Sequence, residues 1–290
     1  PTRRSSDLIT AEALRVCCEI TRVLRPQQNS SFDYTPYVKD LYKATLDKLK
    51  AMDIDQEVKE IAITCMGLIL SILGDHLKDN LEESLKILLD RLKNEITRLT
   101  AVKAFAQIAA SPLQIDTSLV LNDVLNEMAT FLRKQNRQLK QATLTSLSVI
   151  VQNPASHKAV TALSDTILKE DAALISDSDL HLSHLALRLA TAILHVNTSS
   201  AAIIQSTVLP QCLELLKSTL LQGMALESML AFFEQMVKVN AKQLSFESLL
   251  ETLVNLVHKK TGDLSRQSIL SIAQCIAVIV ASKPESVSGT

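Results

Sequence analysis

The sequence has 290 residues, a net charge of −1 and 47% hydrophobic residues. That is enough apolar material for a sizeable core, and the balanced charge lacks the basic excess that nucleic acid or an anionic membrane surface requires. Aromatics are only 3%, Gly and Pro number 5 and 7, and Trp is absent; a core made of Leu, Ile, Ala and Val favours packed helices over a β-sandwich.

The chain opens on Pro1 rather than Met, which reads as an internal piece of a longer protein. Residues 1–8 (PTRRSSDL) do not continue the helical pattern and are expected to be a disordered or non-native junction. From residue 9 a pattern recurs: an apolar or small residue, a small residue four later, and an apolar one four further. Its copies are Ile9/Ala13/Cys17, Val58/Ala62/Met66, Thr97/Ala101/Phe105, Leu139/Thr143/Leu147, Leu182/Ala186/Ala190, Leu221/Ala225/Met229 and Leu264/Ser268/Ile272. Positions i, i+4 and i+8 share one helical face, and a small middle residue lets a neighbouring helix come close. From Ala62 onward the small residues are 39, 42, 43, 39 and 43 apart, close to the period of HEAT and armadillo arrays and longer than that of tetratricopeptide or ankyrin repeats.

Each such helix, B, is preceded by a partner, A: residues 37–52, 81–93, 119–133, 158–169, 201–217 and 246–260. Breakers such as Pro26, Gly74-Asp75, Ser111-Pro112, Asn153-Pro154 and Asn240 separate the pairs, and Asp53, Asp179 and Asp263 are placed to cap B helices. In residues 208–216 (VLPQCLELL) a proline within the helix predicts a bend. Two helices per unit give an all-α fold: a HEAT-repeat α-solenoid, a right-handed superhelix of antiparallel pairs. It should form one array over residues 9–281, about six pairs plus a truncated first repeat, with a disordered tail at 282–290. The last helix carries Ile269, Leu270, Ile272, Ile276 and Val280 almost all round, so one side should lie bare.

The strongly apolar uncharged runs 267–282 and 61–74 fall short of the ~18–20 apolar residues of a bilayer span. The five cysteines (Cys17, Cys18, Cys65, Cys212, Cys275) sit in apolar helices without a CxxC pair, which suggests a reducing compartment; the cytoplasm and nucleus are the expected location. No Gly-rich phosphate loop, HExxH or GxSxG motif occurs, so neither catalytic residues, nor a cofactor, nor a small-molecule substrate is expected. Asp177, Asp179, His181 and His184 have the types of a metal site, but acids at a helix N-terminus complement its dipole, and no metal is expected. Lys59, Arg98 and Lys140 recur at one repeat position. They form either a basic ladder on the B-helix face for an acidic partner or an internal ladder with Asp55 and its equivalents.

Several stretches carry a more specific likeness: residues 30–49 (SSFDYTPYVKDLYKATLDKL), 53–59 (DIDQEVK), Cys65-Met66-Gly67, 91–103 (RLKNEITRLTAVK), 111–116 (SPLQID), 131–140 (FLRKQNRQLK), 175–181 (ISDSDLH) and 220–233 (LLQGMALESMLAFF). In these the chain resembles the central part of the cullin-associated neddylation-dissociated proteins. The resemblance implies a non-enzymatic scaffold from an exchange factor. Such a factor wraps an unmodified cullin–RING complex and promotes exchange of substrate receptors, so regulating ubiquitin ligase assembly. The runner-up is a HEAT scaffold or transport receptor for another protein. With no anchoring cluster of Trp, Tyr and Arg, the segment is expected to set the spacing of binding ends that lie outside it.

Overall fold

The computed structural model describes residues 3–28, 30–52, 54–258 and 264–283. Among them there are helices, turns and no strand. The chain divides into two compact units: residues 1–128 with 153–156, and residues 129–152 with 157–290.

In the first unit, α1 (Arg3–Leu24) is a B helix. The pairs α2 (Thr35–Lys50) with α3 (Gln56–Leu73), and α4 (Leu81–Lys93) with α5 (Arg98–Ala109), follow it; α6 (Ser118–Phe131) begins in this unit. Ala62 and Ala101, the small residues of α3 and α5, are fully buried. Gly67 of α3 shows how close these two B helices come. A Cβ added there would sit 3.0 Å from the Cβ and 3.2 Å from the Cα of Ala104, so only glycine fits without moving a backbone.

In the second unit the B helix α7 (Arg137–Gln152) is followed by the pair α8 (His157–Ala172) and α9 (Leu180–Val196). Next comes an A helix in three pieces, α10 (Ala201–Ile203), a π-helical turn over Ile204–Val208 and α11 (Leu209–Leu216); its partner is α12 (Gly223–Val239), and α13 (Phe246–His258) with α14 (Arg266–Ala281) closes the order. The bend expected from Pro210 takes the form of that π turn. A proline cannot donate to the preceding turn, and just upstream the Thr207 hydroxyl donates to the Ile203 carbonyl instead, at 2.6 Å. Gly223 starts α12 at φ +57 and Asn240 ends it at φ 47, left-handed positions that suit these two residues. Thr143, Ala186 and Ser268 are fully buried and Ala225 nearly so.

Side chains bridge successive repeats at the expected period. In the first unit the Arg91 guanidinium donates to the Leu49 carbonyl (2.6 Å, 42 residues away), and Ser111 Oγ donates to the Ser71 carbonyl (2.5 Å, 40 residues away). In the second, Arg137 grips the Asp179 carboxylate 42 residues on, with Nε at 2.5 Å and Nη2 at 3.2 Å.

Two expectations need correction, and others fall outside the described residues. The helix begins at Arg3 rather than residue 9, so residues 3–8 are not a break in structure. Ala13 is exposed; α1 buries Ala11, Leu14, Cys18 and Thr21 instead. Ile9, Ala13, Val16, Ile20 and Val23 follow the 4-3-4-3 spacing of one helical stripe, and that stripe faces solvent. The expected caps Asp53 and Asp263 lie outside the described residues; Asp55 and Ser265 cap α3 and α14, accepting from the Glu57 and Ser268 N–H groups, while Asp179 caps α9 as expected. Beyond Lys283 the expected tail is also outside the described residues. The bare side of α14 is present: Leu270 and Val280 are 53% and 51% exposed.

Candidate partner-binding grooves

Each unit leaves a groove along its B helices. In the first, α1, α3 and α5 line one of about 490 Å³ with Arg15, Arg22, Glu57, Glu60 and Lys103 on its walls. Its charges are largely closed on each other. Arg15 pairs with both Glu12 and Glu57, and Arg22 with Glu19. The hydrogen bond to Glu57 raises the Arg15 guanidinium pKa further.

In the second unit the end of α7, α9 and α12 line a larger groove of about 670 Å³. Val151, Thr191, Ala192, Val196 and Ala231 give it a largely apolar lining of small and branched residues, with His157, His195 and Gln235 among the polar groups. Arg188 on α9 and Glu227 on α12 are exposed, and each stands two residues after the small residue of its repeat, Ala186 and Ala225. Neither takes part in an ion pair or hydrogen bond among the described residues. Between them Ser228 is held by His184, whose Nδ1 lies 2.7 Å from Ser228 Oγ. Partial burial, with Arg188 nearby, lowers the His184 pKa.

Lys59, Arg98 and Lys140 lie elsewhere. Lys59 is half-buried in the first turns of α3 and lines a small cavity of about 100 Å³ at the turns between A and B helices, with Met52, Arg91, Ile96 and Thr97. Arg98, also half-buried, opens α5 in the same unit, and Lys140 lies in the first turns of α7 in the other. Asp55 does not pair with Lys59, which makes no ion pair among the described residues, nor does Lys140; the Asp55 carboxylate is used as the helix cap, 2.9 Å from the Glu57 nitrogen.

The four residues with metal-ligand types are each engaged or apart. Asp179 holds Arg137, which keeps its carboxyl below the usual range, and also caps α9. Asp177 accepts from Ser218 at 2.8 Å, and the His181 and His184 rings are 6.1 Å apart. Among the described residues no three His, Cys, Asp or Glu side chains gather into a metal cluster. Cys18 is buried and hydrogen-bonded to Cys65, an interaction that lowers the Cys18 pKa and raises that of Cys65.

A family model described as CAND1-like, TPR repeats, matches residues 5–66. Over 277 residues, 93% of this chain, the sequence is 46% identical to cullin-associated NEDD8-dissociated protein 1 of Arabidopsis thaliana. It is 39% identical over 97% of the chain to cullin-associated NEDD8-dissociated protein 2 of Mus musculus. Over nearly its whole length the chain is similar to the cullin-associated NEDD8-dissociated proteins. It spans 22% and 23% of the length of those two relatives.

The fold agrees with solved α-solenoids. A designed armadillo repeat protein superposes with a TM-score of 0.60 at 15% identity, covering 81% of this chain and 98% of its own; yeast importin-beta gives 0.58 at 14%, covering 96% and 35%. At such identities the likeness concerns architecture only. The family model's description names tetratricopeptide repeats, but the bridging bonds 40 to 42 residues apart set a HEAT-like period.

Proposed function

We propose that this chain belongs to the cullin-associated NEDD8-dissociated family and is a non-enzymatic scaffold segment of a cullin-binding exchange factor. Its parent binds a cullin–RING complex whose cullin is unmodified and promotes exchange of substrate receptors, in the cytoplasm and nucleus. The observation that carries this reading is the 46% identity over 93% of the chain to a protein named for cullin association. The site geometry is compatible with it: grooves and helix faces suited to protein contact.

Within that factor the segment acts mainly as a spacer, and Lys59, Arg98 and Lys140 are at most secondary contacts. The test is a titration of unmodified cullin–RING complex against three proteins: the 290-residue chain, the full-length parent, and a parent lacking residues 117–152. Weak or no binding by the chain alone, and weakened capture by the deletion, are expected, because loss of spacing removes avidity without touching either end. Equal affinity of the chain and the parent would make this segment a primary site. Substituting Lys59, Arg98 and Lys140 with Glu would then show whether they form it.

A further inference from the structure

The groove of the second unit combines two properties. Its lining is largely apolar, with several small side chains, and its two rims carry one charge of each sign that closes no ion pair or hydrogen bond among the described residues. Arg188 stands on α9 and Glu227 on α12, at equivalent positions of adjacent repeats. In the first unit the corresponding groove holds Arg15 closed on Glu57 and Glu12. An exposed guanidinium and carboxylate beside an apolar trough are free to meet complementary charges on whatever enters it.

The lining also discriminates between shapes of occupant. An extended peptide would present unpaired backbone N–H and C=O groups to the trough; its polar side chains, among them His157, His195 and Gln235, could meet some of these, but the apolar stretch of Val151, Ala192, Val196 and Ala231 offers none. A helix satisfies its own backbone and presents a ridge of side chains, which is what a channel lined by Ala and Thr between two B helices can receive. We propose that the α9–α12 groove is a docking site for an amphipathic helix of a partner protein. That helix carries an aliphatic ridge flanked by acidic residues on the side of Arg188 and by basic residues on the side of Glu227. The inference does not depend on the cullin reading, since it follows from the groove alone.

The test uses the 290-residue chain and three fluorescently labelled peptides of about 18 residues, long enough to be helical. All share a Leu ridge at helical spacing. One has Glu along one flank and Lys along the other, one has Glu on both, and one has Lys on both. Anisotropy titration should show the mixed peptide binding roughly fivefold more tightly than either single-sign peptide, the scale of two exposed charge contacts. Arg188→Glu should make the Lys-flanked peptide the best ligand, and Glu227→Arg the Glu-flanked one. The double exchange should restore the mixed peptide, bound in the reverse direction. Ala231→Leu should weaken all three by occupying the trough. Both charged side chains are exposed, so circular dichroism and the melting midpoint should be unchanged in the rim variants, separating lost docking from lost fold. Absence of saturable binding by all three peptides would overturn the proposal. So would a ranking that the rim variants leave unmoved, or equal binding of a proline-interrupted peptide of the same composition.

Discussion

The two units repeat one packing scheme and present opposite surfaces. In the first, the groove between B helices is rich in charge that is largely neutralised from within, Arg15 by Glu57 and Glu12 and Arg22 by Glu19. In the second, the equivalent groove is apolar and leaves Arg188 and Glu227 unpaired among the described residues. The small residue that lets B helices approach is held in common: Ala62 and Ala101 in one unit, Ala186 and Ala225 in the other. The residue two positions later varies freely through Thr64, Lys103, Thr145, Arg188, Glu227 and Leu270. A repeat protein can therefore change what it offers a partner without disturbing what holds it together.

The comparison is tested most strongly at the shared core. Leu70→Ala in the first unit and Leu187→Ala in the second, both fully buried, should each cost about 2–5 kcal/mol. Urea unfolding followed by circular dichroism measures this, and a marked inequality between the two would mean that the units are not built alike.

Asp171 distinguishes the second unit's core. It is completely buried on α8 and neither carboxylate oxygen has a hydrogen-bond partner among the described residues; burial pushes its pKa well above the ordinary carboxylate value. A raised folded-state pKa means that the folded protein holds this proton after the unfolded chain has released it. Stability from this group is therefore greatest below about pH 4 and falls as pH rises toward the folded pKa, by about 1.4 kcal/mol per pH unit within that window. Asp171→Leu should remove that dependence and stabilise the protein by about 1–3 kcal/mol at neutral pH. Unfolding midpoints measured across pH for the two proteins decide it; parallel profiles would place the carboxyl in contact with water.

Overpacking comes next in size. Ala101→Leu and Ala225→Leu should each destabilise by about 1–3 kcal/mol, because a larger side chain must enter a closed helix–helix contact. An unmoved melting midpoint for both would show that the repeat frame has been misplaced. The smallest effect on stability concerns the first groove. Arg15→Ala combined with Arg22→Ala should leave the fold intact while freeing Glu12, Glu57 and Glu19 of their ion-pair partners. Basic helical peptides should then bind where the parent chain does not take them, and anisotropy titration reads the gain.

Much of the fold could be read from the sequence, because packing in a solenoid is periodic and local. The segments around Ala62, Ala101, Thr143, Ala186, Ala225 and Ser268 all became B helices with the small residue buried. Ala13 followed the same pattern and failed, since a periodic motif identifies a helical face but not what covers it. Lys59, Arg98 and Lys140 repeat because the first turns of B helices repeat, which is a matter of turn geometry rather than of groove position. The rim residues Arg188 and Glu227 were not visible for the opposite reason. Exposed side chains are under little packing constraint and leave no periodic trace. The same frame, read two residues beyond each small residue, would have located them but not their role.

The side-chain bonds that join successive repeats bear on how the chain is made. Arg91 reaches back to the Leu49 carbonyl and Ser111 to that of Ser71, so each bond is complete once 40 to 42 further residues exist. Neither has to wait for a distant terminus. On the ribosome, a growing chain of this kind can secure each new helical pair to the one before it as soon as that pair emerges, with loop closure limited to a single repeat. The order of synthesis then becomes the order of assembly, and a pause in translation leaves an already docked stub instead of an exposed core.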